Sequence, residues 1–143
     1  MTSENERVVR RIVELFNQLD PDPKARNASG EFEELLGLID PEIEFRADRV
    51  QIDGGAHRGL TAVRHFWDEW FTLWEEHRFE ITEIEGRGNS VLVLGHNRLK
   101  GRDGIVIDWE NQSIVTLSGG RVTHYRDFLD EEAARRAFEA GGD

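Results

Sequence analysis

The stretch RDGIVIDWENQSIVTLSGGRVTHYRDFLD, residues 102–130, decides the fold. Ile105 to Leu117 has the length and β-branched content of a long strand, and Arg121 to Leu129 reads as its return. Ser118-Gly119-Gly120 joins them, with glycine where a hairpin turn demands positive φ. Asp127 lies deep in the return strand.

Working outward, Val91 to Lys100 is a strand that precedes Ile105 to Leu117. A three-residue loop, Arg102 to Gly104, sets Arg98 opposite Asp108 and His96 opposite Glu110, with Lys100 on the same face. Opposite charges across a strand pair are favourable, so this is an outer face. A two-residue loop would set Arg98 against Trp109 with no compensation. The other face then carries Val93, Gly95, Asn97 and Leu99 with Ile107, Trp109, Asn111, Ser113, Val115 and Leu117. It is apolar except for three small amide or hydroxyl groups near its middle.

The last hairpin admits two registers. With Gly119-Gly120 as a two-residue type I′ turn, Asp127 faces away from Asn111. With Ser118-Gly119-Gly120 as a three-residue loop, Asp127 lies opposite Asn111, Tyr125 opposite Ser113 and Leu129 opposite Trp109. Arg126 and Asp127 are both charged and adjacent, so hydrophobic pattern does not choose.

Before these strands the chain is mostly helical. Ser3 and Glu6 have capping-box spacing. Val8, Val9, Ile12, Val13, Phe16 and Leu19 follow at helical period until Pro21 and Pro23. Ser29 caps a second helix carrying Phe32, Leu35, Leu36 and Ile39, which Pro41 stops. Ile43 and Phe45 alternate with charges in a short strand. Asp48 to Gly59 reads as an irregular arm containing His57, a loop histidine with no ligand partner nearby in sequence. Thr61 to Trp74 is the strongest helix, with Val63, Phe66, Trp67, Trp70 and Trp74 on one face. Trp67 and Trp70 are candidates to line a concavity, because tryptophan is seldom wholly buried. Phe79 and Ile81 begin another strand, and Asp130 caps a closing helix with Ala133, Ala134, Ala137 and Phe138.

The chain has 143 residues, one domain's worth, with no cysteine and a formal net charge of −11. Absence of cysteine excludes disulfides and thiolate chemistry, and fits a cytoplasmic protein. The acidity argues against binding nucleic acid or an anionic membrane. No apolar run has the length of a membrane span. No two histidines share a ligand spacing, so no metal site is expected. There is no G-x-S-x-G nucleophile elbow and no phosphate-binding loop.

The order helix, short helix, strand, GAHRG, aromatic helix and four long strands resembles the nuclear transport factor 2 superfamily, in particular its SnoaL-like polyketide cyclase branch. GAHRGLTAVRHFWDEW and SGGRVTHYRDFLDEEAARRAF carry the resemblance, which covers nearly the whole chain as a single domain. It implies an α+β fold, a strongly bent antiparallel sheet wrapped around helices as a cone with an internal apolar pocket. It also implies a homodimer and a small apolar ligand.

HYRDFLD is further similar to the last strand of limonene epoxide hydrolase, in which an inward Asp orients a water. Carried over, that residue is Asp127, which favours the three-residue loop. A partly desolvated carboxylate would have its pKa raised from about 3.9 and could act as a base. Asn111 and Ser113 would orient water or a substrate oxygen, and Trp67, Trp70, Asn97, Trp109 and Tyr125 would complete the lining. The hydrolase's second acid has no counterpart in Gly95–Asn97. A ketosteroid isomerase would need a Tyr and an acid where this chain has Ile12 and Arg46, with its oxyanion-hole acid near Ser113. A scytalone dehydratase-like pair would need His57 or His124 beside Asp127. Two functions follow: a cofactor-independent cyclase, hydrolase or isomerase using Asp127, or a non-catalytic binding or dimerisation module.

Overall fold

A computed structural model describes residues 3–47 and 56–141. The elements in chain order are α1 (Glu4–Asn17), α2 (Pro23–Asn27), α3 (Gly30–Gly37), β1 (Ile39–Arg46), β2 (Ala56–Arg58), α4 (Leu60–Leu73), β3 (Trp74–Arg87), β4 (Ser90–Gly101), β5 (Val106–Ser118), β6 (Arg121–Phe128) and α5 (Glu131–Glu139). The strands form one sheet in the order β2-β1-β6-β5-β4-β3. It is a curved open sheet, and the fold is α+β. Four of its pairings are antiparallel, and β1 with β6 is parallel.

The two faces of the sheet have separate cores. Inside, α1, α3 and α4 pack Val9, Leu15, Phe32, Leu35, Val63, Trp67 and Phe71 against Val91, Val93, Val115 and Leu117. Outside, α5 lays Ala134 and Phe138 over Leu92, Leu94, Ile114 and Phe128. Where α5 does not reach, the outer face is the charge row that sequence pattern predicts. Arg98 pairs with Asp108 and His96 with Glu110 in register. A hydrogen bond joins His96 to Asp108 at 3.2 Å, and an ion pair joins Lys100 to Glu76 at 3.4 Å.

Helix α1 seals the β3 edge of the sheet. Ser3 caps it by accepting from Glu6 N–H at 3.0 Å. Glu6 does not complete the box; its carboxylate accepts from Gly86 N–H on β3 at 2.9 Å. At the other end of α1, the Asn17 amide donates to the Phe79 carbonyl at 2.9 Å and accepts from the Phe79 N–H at 2.8 Å. One side chain thus serves both backbone groups that an outermost strand leaves unpaired.

Several boundaries differ from the sequence reading. Pro23 opens α2 at its first turn under an Asp22 cap, which suits its missing N–H. Pro41 does not stop α3, which ends at Gly37; it lies in β1, where the pairing with β6 shifts between Ile39 and Glu44. Trp74 begins β3, and Phe71 takes its place in the buried stripe Val63, Trp67, Phe71. Of the arm expected over Asp48 to Gly59, residues 48–55 lie outside the described residues. His57 is in β2 opposite Phe45.

The β5–β6 hairpin follows neither expected register. Gly119 and Gly120 have φ of 59° and 79°, and Ser118 pairs with Arg121, so the turn has two residues. The ladder then shifts: Leu117 pairs with Val122, but Thr116 pairs with His124. Thr123 is the extra residue of a β-bulge. Beyond it Val115 faces Tyr125 and Ser113 faces Asp127. The three-residue loop is therefore replaced by a turn plus a bulge, and Asp127 lies opposite Ser113 rather than Asn111.

His77, at the start of β3, packs between the rings of Phe16, Trp70 and Phe71, with Nε2 3.0 Å from the Leu19 carbonyl oxygen. Burial lowers its pKa, the carbonyl contact opposes this, and the nearby Arg26 charge lowers it further. An unfolded histidine titrates near 6.5. Below that pH the unfolded chain binds a proton that the folded chain resists, so stability falls as pH drops. Urea midpoints should decline from pH 7.5 to 5.5 in the wild type and decline less in His77→Gln.

Candidate functional site

The inner face of the sheet and the helices across it line a partly open cavity of about 210 Å³. Trp67, Trp70, Asn97, Trp109, Asn111, Ser113, Tyr125 and Asp127 all line it. Each arrives by a different route. Asn111 and Ser113 project inward from β5 at alternate positions, as a pleated strand requires. Asn97 faces Trp109 across the β4–β5 ladder. Tyr125 and Asp127 reach this face because of the Thr123 bulge. Trp67 and Trp70 come from α4.

The polar groups are concentrated on the sheet. Asp127 is only 3% exposed, Ser113 4% and Asn111 9%. The Tyr125 ring stacks on Phe45 at 4.7 Å and 12° between planes. Withdrawal from solvent raises the Tyr125 pKa, the Asp127 charge raises it further, and a hydrogen bond with Ser113 opposes both. The phenol therefore stays neutral across the physiological range and keeps a proton to donate. Trp109 meets Trp74 edge-on with ring centres 6.5 Å apart, and neither indole N–H has a protein partner among the described residues.

The helical wall is apolar. Val9, Ile12, Val13 and Phe16 from α1, Phe66 from α4, and Ile43, Phe45 and Ala47 from the β1 side complete it. The sequence pattern marks the α1 residues as a helical stripe and Phe45 as part of a short strand, and gives none of them a place in a site. Their signal was the same apolar stripe, which cannot distinguish packing on a sheet from packing around a hollow. Phe79 was likewise read only as a strand residue, and it too lines the cavity.

Neither histidine considered as a partner for Asp127 is in the cavity lining. His124 projects outward and pairs with Glu44 at 2.9 Å. His57 packs its ring against Phe66 at 5.0 Å. Among the described residues no group of three or more His, Asp or Glu is placed to hold a metal ion. No described helix is long and apolar enough to cross a membrane.

Comparison with known proteins gives concordant results. The sequence profile of the SnoaL-like domain matches residues 9–125, a span that ends two residues before Asp127. No curated protein matches the chain in sequence. Among solved structures, an NTF2-like protein of unknown function from Burkholderia pseudomallei is 21% identical, with 94% of this chain and 97% of that one covered and a TM-score of 0.74. TerC, crystallised with polyporic acid, is 19% identical over 96% and 99% of the two chains, with a TM-score of 0.72. An LEH-like epoxide hydrolase of M. tuberculosis is 15% identical over 90% and 80%, with a TM-score of 0.69. At these identities the likeness is one of fold.

Proposed function

We propose, from the premise that this chain belongs to the SnoaL-like domain family, that its cavity holds a small, largely apolar molecule and that Asp127 is the general acid or base acting on it. One observation carries the reading. A carboxylate that is 3% exposed lies on the wall of a cavity whose other lining is mainly aromatic and aliphatic. A carboxylate held away from solvent in a cleft is a candidate reaction site. The chemistry supported is proton transfer without a cofactor. Asp127 would take or give the proton, while the neutral Tyr125 hydroxyl and the Asn111 amide hold the substrate oxygen. The LEH-like hydrolase and the TerC complex are relatives of the same fold that, respectively, carry an enzyme name and were crystallised with a small molecule.

A panel of aryl epoxides, β-keto esters and cyclic enones tests this by product formation. Asp127→Asn keeps size and shape, and should lower turnover of the accepted substrate by about 10²–10⁴-fold with binding little changed. Turnover that survives the substitution removes Asp127 from the chemistry. Saturable binding with no turnover across the panel favours the alternative, a binding module of the same fold.

The same proposal includes a homodimer in the cytoplasm, paired through the outer sheet face. There the basic row His96, Arg98, Lys100 lies beside Asp108 and Glu110 on β5 and beside Glu80, Arg78 and Glu76 on β3. The basic row on β4 and the acidic residues on β5 are complementary to a second copy of themselves.

A further inference from the structure

One wall of the cavity is built around a missing side chain. Gly95 stands on the inner face of β4, opposite Ile81 on one side and Asn111 on the other. A Cβ at this position would collide with the tip of the Phe79 ring and lie 2.5 Å from the Glu80 carbonyl oxygen. Phe79 itself pairs with Asn97, two residues along from Gly95. Its ring therefore leans along the sheet from the level of Asn97 to that of Gly95 and Asn111, lying flat where another strand residue would project.

We propose that Phe79, seated on Gly95 and fixed by Asn17, is the residue that sets ligand length, restricting the cavity to molecules of one or two fused rings. The inference rests on the reading of the cavity as a ligand site. Three observations support it. The ring lines the cavity beside Asn97 and Asn111. Its backbone is held on both sides, by the β4 ladder and by the paired hydrogen bonds of Asn17 at 2.9 and 2.8 Å. The ring therefore cannot withdraw by a shift of its strand. Finally, the cavity of about 210 Å³ is smaller than the about 300–1,000 Å³ of pockets for drug-sized ligands. On this proposal a third fused ring would extend into the space that Phe79 fills.

Two hydroxylated probes of one width and different length, 2-naphthol and 2-anthrol, give the test, with affinities read from quenching of tryptophan emission and from calorimetry. Wild type should bind 2-naphthol at least tenfold more tightly than 2-anthrol. Phe79→Ala should reverse that preference, and Phe79→Leu, a gentler change that keeps an apolar side chain on the strand, should at least narrow it. Circular dichroism establishes which variants are folded, and the affinity ratio in Phe79→Leu decides if Phe79→Ala does not fold. A general loosening of the core weakens both probes together and leaves their ratio alone, so an unchanged ratio in a folded variant overturns the proposal. Wild type that takes 2-anthrol as readily as 2-naphthol overturns it too. Wild type that binds neither probe, nor phenol, refutes instead the ligand-site reading beneath it.

Discussion

Deleting Arg126 should abolish 2-naphthol binding, whereas deleting Thr123, three residues away on the same strand, should leave the protein folded. The contrast follows from the bulge. Thr123 is the one residue of β6 without a partner on β5. Without it, Leu117 still faces Val122 and Thr116 still faces His124, so Tyr125 and Asp127 stay on the cavity side. The loss is two hydrogen bonds of the Thr123 hydroxyl, to the Thr116 carbonyl at 3.2 Å and with His124 Nδ1 at 3.0 Å, a cost of about 1–2 kcal/mol. Removing Arg126 is different because side chains alternate faces with period two. If the bulge persists, Asp127 turns to the outer face and Phe128 leaves its contacts with α5. If the bulge is absorbed, Asp127 stays but Tyr125 turns outward and His124 inward. Either arrangement misplaces buried groups, at a cost of about 4 kcal/mol or more. Urea titration and 2-naphthol binding of the two deletions, with Arg126→Ala as the side-chain control, check the expectation. Equal tolerance of both deletions would remove the bulge from the account.

Arg26→Ala should be among the most destabilising single substitutions in the chain. The side chain is 1% exposed. Its guanidinium donates to the Asp20 and Pro21 carbonyls at 3.0 Å each, pairs with Asp68, and lies 4.4 Å from the centre of the Phe71 ring. It thus ties the loop after α1 to α4. Truncation leaves two loop carbonyls without their donor and a void against Phe71. Asp68 is half exposed and can turn to water, so the stranded charge is a small part of the loss. Hydrogen bonds to charged groups contribute about 1.5–3 kcal/mol. With the void, the loss should be roughly 3 kcal/mol, lowering the melting temperature by about 10 °C. Arg26→Lys should recover only part of it, since an ammonium cannot reproduce the planar fork. A shift under 3 °C in thermal melts of Arg26→Ala would refute this.

What sequence reading could reach depended on how far a local rule extends. The β4–β5 register was legible because charge pairing rewards one loop length and penalises the other, and Arg98 does face Asp108. The β5–β6 register was not, because both alternatives assumed an uninterrupted ladder. A bulge leaves no mark in composition: Thr123 is an ordinary strand residue. Tyr125 and Asp127 reach the cavity face by a route the sequence reading did not contain. Arg26 was invisible for a related reason. A basic residue in the polar run DPDPKARN looks solvated, and only the approach of α4, more than forty residues on, buries it. The glutamate of the Ser3 box was misassigned because capping rules know only the helix, whereas Glu6 found a better partner on β3.

The seam between α1 and β3 also bears on how the chain folds. Its hydrogen bonds join residues 62 and 80 positions apart, Asn17 with Phe79 and Glu6 with Gly86. At about 5–20 residues per second of synthesis, the helix waits roughly 3–16 s for the strand whose edge it seals. During that interval Ile12 and Phe16 have α3 and then α4 to pack on but not the sheet. The strand, when it arrives, has a free edge until the helix docks. The same two side chains that finish the native sheet therefore end the period in which a nascent chain is most open to aggregation.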